Sequence, residues 1–174
     1  EIAFVFIGDG IARKWLEAEA TERGLTNVQF RPYQPADRLR WSLSVPDVHL
    51  VSLRPVLEGL IVPSKFCGIA AAGRPVIHVG DLDGEIPRIL ERERCGWSYS
   101  VGEAGPLAQC ILDLSRRRDE ATKAGQRARL AFDRQYARAH ALKQWRRLLG
   151  SVSATLPLSD EAIFQELPVA AGDK

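Results

Sequence analysis

The sequence predicts an α/β fold, a doubly wound parallel sheet, on three observations. Apolar runs of strand length alternate with helix-length periodicities from residue 3 to residue 101. The first run, Ala3–Ile7 (AFVFI), is apolar without alternation, the pattern of a strand covered on both faces. Glycines and prolines stand at the ends of the runs, as at Gly8-Asp9-Gly10, Gly24 and Gly73. Strands that alternate with helices argue parallel pairing, with helices on both sides of the sheet.

Each element follows from its local pattern. After the Gly8-Asp9-Gly10 turn, Ile11, Trp15, Leu16 and Ala20 recur at helical spacing over 11–23, and Gly24 caps that helix. Val28–Phe30 is a short strand, Pro32 and Pro35 bracket a loop, and Asp37–Ser44 is a short helix. Val48–Leu53 reads as a second buried strand. A small-residue helix over 63–72 closes at Gly73, and Val76–Val79 is the next strand. Residues 85–93 form a helix with Glu85 in the first turn, where the helix dipole favours an acid. Trp97–Val101 is the last strand, followed by helical stretches at about 105–116, 119–132 and 136–149. One domain is expected over residues 1–150. Residues 151–174, rich in Ser, Ala, Pro and acids, are expected to be a mobile tail.

Composition narrows the functional classes. The chain has 174 residues, enough for one domain with a sizeable core, and 45% hydrophobic with 26% charged content is ordinary for a globular protein. No apolar stretch approaches the roughly 18–20 residues of a membrane span. Cys67, Cys95 and Cys110 are scattered and form no C-x-x-C pair, so neither a disulfide framework nor a zinc site is expected, and a reducing cytoplasm is the simplest compartment. No His, Asp and Glu grouping has metal-ligand spacing, and no cofactor is expected. His49 and His78 lie inside apolar strands and read as satisfied core histidines. Residues 116–147 carry eleven Lys and Arg against three acids, a net +8 in a chain of net +2, so the rest is net −6. A solvated face with Arg stems over apolar neighbours is the first reading of that segment, and contact with an anionic membrane surface the second. Interleaved aromatics and RNA-binding signatures are lacking, so no nucleic-acid partner is expected.

The segment Glu58–Val76, EGLIVPSKFCGIAAAGRPV, carries the functional signal. An acidic residue and a glycine precede Pro63 and a small-residue helix. Glycine admits close backbone approach, proline suits a first helical turn, and the first helical amides attract anions. A carboxylate beside a phosphate cradle is what holds a sugar hydroxyl next to a diphosphate. Ligands in open α/β sheets bind beyond the carboxyl ends of the strands, where Glu58 and the other candidates fall.

This segment resembles the donor-site signature of retaining glycosyltransferases of the GT-B fold, family 4 type: Glu-Gly-Phe-Gly-apolar-Pro, a second Glu, then Ala-x-Gly-x-Pro-Val. Phe4-Val5-Phe6-Ile7-Gly8-Asp9-Gly10 resembles the family's strand and Gly-x-Gly turn, and Asn27-Val28-Gln29-Phe30 its next strand. Asp47-Val48-His49-Leu50-Val51-Ser52 and Cys95-Gly96-Trp97 resemble two further segments. The order and spacing hold over about residues 3–150. The Pro63-Ser64-Lys65 variant is similar to transferases of bacterial surface-polysaccharide biosynthesis. Two departures stand out. Position 68, where the family has a ribose-binding Glu, is Gly, and the spacing from Glu58 to Gly73 is about two residues longer than the commonest form. The chain starts at Glu1, just before a strand, whereas the family has an acceptor domain and a further strand and helix upstream. A Rossmann-like donor domain incomplete at its N-terminus is therefore expected.

The resemblance implies roles. Glu58 would accept hydrogen bonds from donor-sugar hydroxyls and stabilise an oxocarbenium-like transition state, the one catalytic assignment. Gly59 and Leu60 would supply loop backbone, and Ser64 and Lys65 would meet the diphosphate. Gly8, Asp9 and Gly10 would line the nucleotide cleft, and Arg31 and Tyr33 would lie at the base. Arg54 would bind phosphate or pair with Glu58. The implied partners are a nucleotide-sugar donor, UDP-linked before GDP-linked, and a lipid-linked or oligosaccharide acceptor held by the upstream domain. The implied place is the cytoplasm, peripheral at the membrane's inner face. The competing expectations are a nucleotide-sugar epimerase of the same fold and a non-catalytic nucleotide-binding or membrane-recruited module.

Overall fold

The computed structural model describes residues 2–61 and 64–152, so the expectations for Pro63 and for the tail at 153–174 lie outside the described residues. Two compact units divide the chain, residues 1–134 and 135–174. The first alternates strand and helix as expected. Its elements are β1 (Phe4–Ile7), α1 (Arg13–Glu22), β2 (Val28–Arg31), α2 (Leu39–Ser44), β3 (His49–Ser52), α3 (Lys65–Ala71), β4 (Val76–Val79), α4 (Glu85–Glu93), β5 (Gly96–Tyr99), α5 (Ala104–Arg116) and α6 (Arg118–Ala131). The described part of the second unit holds α7 (Arg138–Val152). Among the described residues, no helix is long and apolar enough to cross a membrane.

Every strand pair is parallel, in two sheets: β1-β2, and β3-β4-β5 with β4 at the centre. In the second sheet His49 stands opposite Val76, and Val76 opposite Gly96. The central strand is the most buried: Val76 and His78 are 0% exposed and Ile77 2%. On one face Ile77 packs with Leu114 of α5 and Ala121 of α6, together with Trp97, Leu107 and Ile111. Phe66, Ile69 and Ala70 of α3 and Ile86, Ile89 and Leu90 of α4 are also buried.

Two expectations about burial fail. Ala3–Ile7 was to be covered on both faces, yet all four residues of β1 are exposed, from Phe4 at 38% to Val5 at 50%. In the same way Leu50 of β3 is 56% exposed, and only Val51 of that strand is buried. Burial on both faces needs neighbours on both edges and helices above and below. Strand β1 has one partner, β2, and β3 has one partner, β4, so each leaves an edge unpaired among the described residues.

Helix α6 turns one face of small residues inward: Ala121, Ala124, Gly125, Ala128 and Ala131 are buried. The reason is backbone contact. A Cβ added at Gly125 would lie 2.2 Å from the Gly73 carbonyl oxygen. The flanking cations of α6 then reach helix ends. Arg129 Nη1 donates to Ala71 O of α3 at 2.8 Å, Arg127 Nε donates to Arg94 O after α4 at 2.5 Å, and Arg134 pairs with Glu93 at 2.8 Å. Cations suit helix C-termini, where carbonyls lack partners. Arg117 and Lys123 form further ion pairs with Glu120 and Asp119. Part of the basic segment is therefore engaged in holding the first unit together.

The two strand histidines differ. His49 Nε2 lies 2.9 Å from Leu43 O, a satisfied core histidine as expected. His78 corrects its expectation: it is wholly buried and neither ring nitrogen has a partner. Burial lowers the pKa of both, partly opposed at His78 by Glu58 and Asp81.

Two measurements test this account. Gly125→Ala should cost about 3 kcal/mol in urea unfolding, the upper end of overpacking costs, because the obstructing atom is backbone. Gly105→Ala, in α5 with nothing within 4 Å, should instead gain about 0.5–1 kcal/mol. Acid should destabilise the fold through the histidines. A folded pKa below the ordinary value of about 6.5 means the unfolded chain takes up protons first, so stability present above that pH is lost as pH falls below it. The slope should approach about 1.4 kcal/mol per pH unit for each histidine, and His78→Leu should remove one share of it. An unchanged slope would show that His78 carries no such linkage.

Candidate functional site

The expected site residues gather in two groups at the carboxyl ends of the parallel strands. The first group lies beyond β1 and β2. Gly8 holds φ +117, a left-handed backbone that disfavours other residues, and its amide donates to Arg31 O at 3.1 Å. Asp9 Oδ1 accepts the Gly10 amide at 2.8 Å. Tyr33 folds over this turn: its hydroxyl donates to Asp9 O at 3.2 Å, and a Cβ on Gly8 would touch its ring at 3.0 Å. The ring stays 72% exposed, so one face is open to a planar partner. Arg31 turns aside and donates to Gln29 at 3.0 Å.

Sequence reasoning missed the residue that holds this group together. Arg13 Nη1 donates to Gly8 O at 2.5 Å and to Arg31 O at 3.3 Å, while its Nε pairs with Glu17 at 2.8 Å. One guanidinium thus clamps the carbonyl ends of both strands and lies over the Phe30 ring, 6.0 Å from its centroid. The signal was available only as a basic residue one turn after a Gly-Asp-Gly turn.

The second group lies beyond β3 and β4. A short 3-10 turn, Pro55–Leu57, follows β3 and delivers Glu58, whose amide donates to Pro55 O at 3.0 Å. Gly59 follows at φ +78. The Glu58 carboxylate accepts the Glu85 amide at 3.1 Å, the first amide of α4, and so sits at a helix N-terminus. Glu58 lies within electrostatic reach of the buried His78. Among the described residues no ion pair joins Arg54 to Glu58. Leu60 is 78% exposed. Ser64 is the N-cap of α3 without a side-chain cap bond, and Lys65 opens that helix exposed to solvent.

Position 68, the departure from the expected motif, faces α2. A Cβ on Gly68 would meet Leu43 Cδ1 at 3.1 Å, so a side chain there points at α2. Glu85 lies near the same stretch of α3, since its carboxylate adds to the burial that raises the Cys67 thiol. Among the described residues no hydrogen bond or ion pair links the first group to the second, and none could form a metal cluster of three or more His, Cys, Asp or Glu. A cavity of about 510 Å³ lies between α1 and β2, lined by Glu17, Thr21, Leu25, Val28 and Phe30, and contains none of the expected residues.

No protein-family model matches the chain. It is similar to WbjE of Pseudomonas aeruginosa, named a probable glycosyltransferase, with 33% identity over 118 residues, 65% of this chain and 30% of that protein. It is also similar to WcaI of Escherichia coli K12, named a putative colanic acid biosynthesis glycosyl transferase, with 32% identity over 90 residues, 52% of this chain and 22% of that protein. The chain therefore spans under a third of the curated relatives it matches. Among solved structures it is similar to Anabaena Alr3699/HepE in complex with UDP, with a TM-score of 0.72 and 17% identity over 86% of this chain and 41% of that one. That likeness establishes the fold alone. The sequence relatives that the chain matches in part are named glycosyltransferases, and its α/β fold is that of part of the HepE chain.

Proposed function

We propose that the chain is the donor-binding part of a glycosyltransferase that moves a sugar from a nucleotide diphosphate sugar, UDP-linked before GDP-linked, to a lipid-linked or oligosaccharide acceptor with retention. The observation that carries the reading is Glu58: a carboxylate at the carboxyl end of a parallel sheet, oriented by a helix amide rather than by a cation. Such a group can accept hydrogen bonds from sugar hydroxyls and stabilise positive charge at the anomeric carbon as its bond to the diphosphate breaks. The naming of the sequence relatives as glycosyltransferases supports the class, and the UDP and UDP-glucose complexes of HepE support the donor type.

The other groups take matching roles. Tyr33, over the Gly8–Gly10 turn, offers a face for the base, and Arg31 offers backbone beside it. Ser64 and Lys65, with Arg54 across the loop, supply donors and charge for the diphosphate. Gly59 and Leu60 supply backbone beside the sugar. Membrane contact through residues 116–147 is the less supported part, since Arg117, Lys123, Arg127, Arg129 and Arg134 already have partners in the first unit.

Calorimetric titration with UDP, GDP and ADP, alongside UDP-glucose, UDP-galactose and UDP-N-acetylglucosamine, tests the reading. UDP should bind saturably, and one sugar nucleotide should bind more tightly than UDP. Glu58→Ala should weaken that sugar nucleotide by about tenfold or more and leave UDP unchanged, the loss of a charge-assisted hydrogen bond. Equal binding of the sugar nucleotide by both proteins would remove Glu58 from the sugar site. A preference for ADP would overturn the assignment of the base.

A further inference from the structure

We propose that Gly84 is a positioning residue for Glu58, the missing side chain at 84 being the space in which the Glu58 carboxylate is held. The proposal rests on the reading of Glu58 as the sugar-contacting carboxylate. Gly84 is buried, at φ −70 and ψ 171, an extended backbone that any residue adopts, so conformational freedom does not account for glycine here. Space does. A Cβ at 84 would lie 2.6 Å from Glu58 Cδ, 2.7 Å from Oε2 and 2.9 Å from Oε1. The next amide, Glu85 N–H, donates to Oε1 at 3.1 Å. Oε2 receives no hydrogen bond from the described residues and is left to accept one from a ligand hydroxyl.

The neighbouring end of β4 is also short of space. A Cβ on Gly80 would lie 2.5 Å from Leu53 O and 2.8 Å from the His78 ring, so a side chain does not fit there either. His78 is wholly buried there with both ring nitrogens unpartnered. The Glu58 carboxylate thus sits on the Glu85 amide in the space that a Cβ at 84 would fill. The atoms a methyl group would strike are the far end of a flexible side chain. Gly84→Ala should thus move Glu58 without unfolding the chain.

The test compares Gly84→Ala, Glu58→Ala and the double variant in the full-length protein, with UDP, UDP-glucose, UDP-galactose and UDP-N-acetylglucosamine as probes. Gly84→Ala should weaken the tightest sugar nucleotide by about tenfold or more, as Glu58→Ala does, leave UDP unchanged, and add nothing in the Glu58→Ala background. Hydrogen exchange at the Glu85 amide should speed up in both single variants, a readout independent of ligand. Should Gly84→Ala not fold, Glu58→Asp tests the same seat: one methylene short of the amide, it should reproduce both losses. A sugar contribution that survives Gly84→Ala, or losses that add in the double variant, would overturn the role of Gly84 while leaving Glu58 in place. If no sugar nucleotide binds the parent protein in a Glu58-dependent way, the reading of Glu58 falls and the role of Gly84 with it.

Discussion

The first unit depends on how closely the backbone of α6 approaches the turn that feeds β4. Gly125 lies so near the Gly73 carbonyl that a single methyl group would not fit. That contact fixes the entry of β4, and β4 is the strand on which β3 and β5 pair. At the carboxyl end of β4, Gly80 likewise leaves no room for a side chain, which would meet Leu53 O and the His78 ring. A central strand whose first three residues are buried leads to the side of the sheet that carries the Glu58 loop and the start of α4.

Electrostatics follow the same frame. The carbonyl ends of α3 and α4 receive Arg129 and Arg127, while the first amide of α4 receives Glu58. Each ionised group stands at the helix end its charge favours. A basic segment that reads first as a solvated face, and second as a membrane face, contains cations that cap helix ends. The difference lies in range. Charge counts record which residues are basic, and only the fold records that Arg129 lies beside a carbonyl 58 positions away.

Local patterns were legible, and non-local ones were not. Strand Val76–Val79 and helix Glu85–Glu93 stand where sequence periodicity puts them, because each has a pattern and terminating residues of its own. The burial of Ala3–Ile7 was misread, because a run of apolar residues states a preference and not the presence of neighbours to satisfy it. His78 was misread for a related reason: a histidine in an apolar strand says nothing about whether an acceptor is near. Glu58 could be singled out from its motif, yet its amide partner lies 27 residues on, at Glu85. Arg13 was invisible because its value comes from two carbonyls on different strands.

The glycines separate what the chain fills from what it leaves open. A glycine near a site invites the inference that backbone approaches a ligand there. At Gly8 and Gly84 the protein itself takes the space, with the Tyr33 ring and the Glu58 carboxylate. At Gly10 and Gly59 a Cβ would meet nothing within 4 Å. Those two positions, one in each group, are where bare backbone faces open space. Gly59 also holds a left-handed φ that keeps larger residues out by conformation rather than by contact. The glycines at 8 and 84 act one step back, by seating the side chains that would touch a ligand.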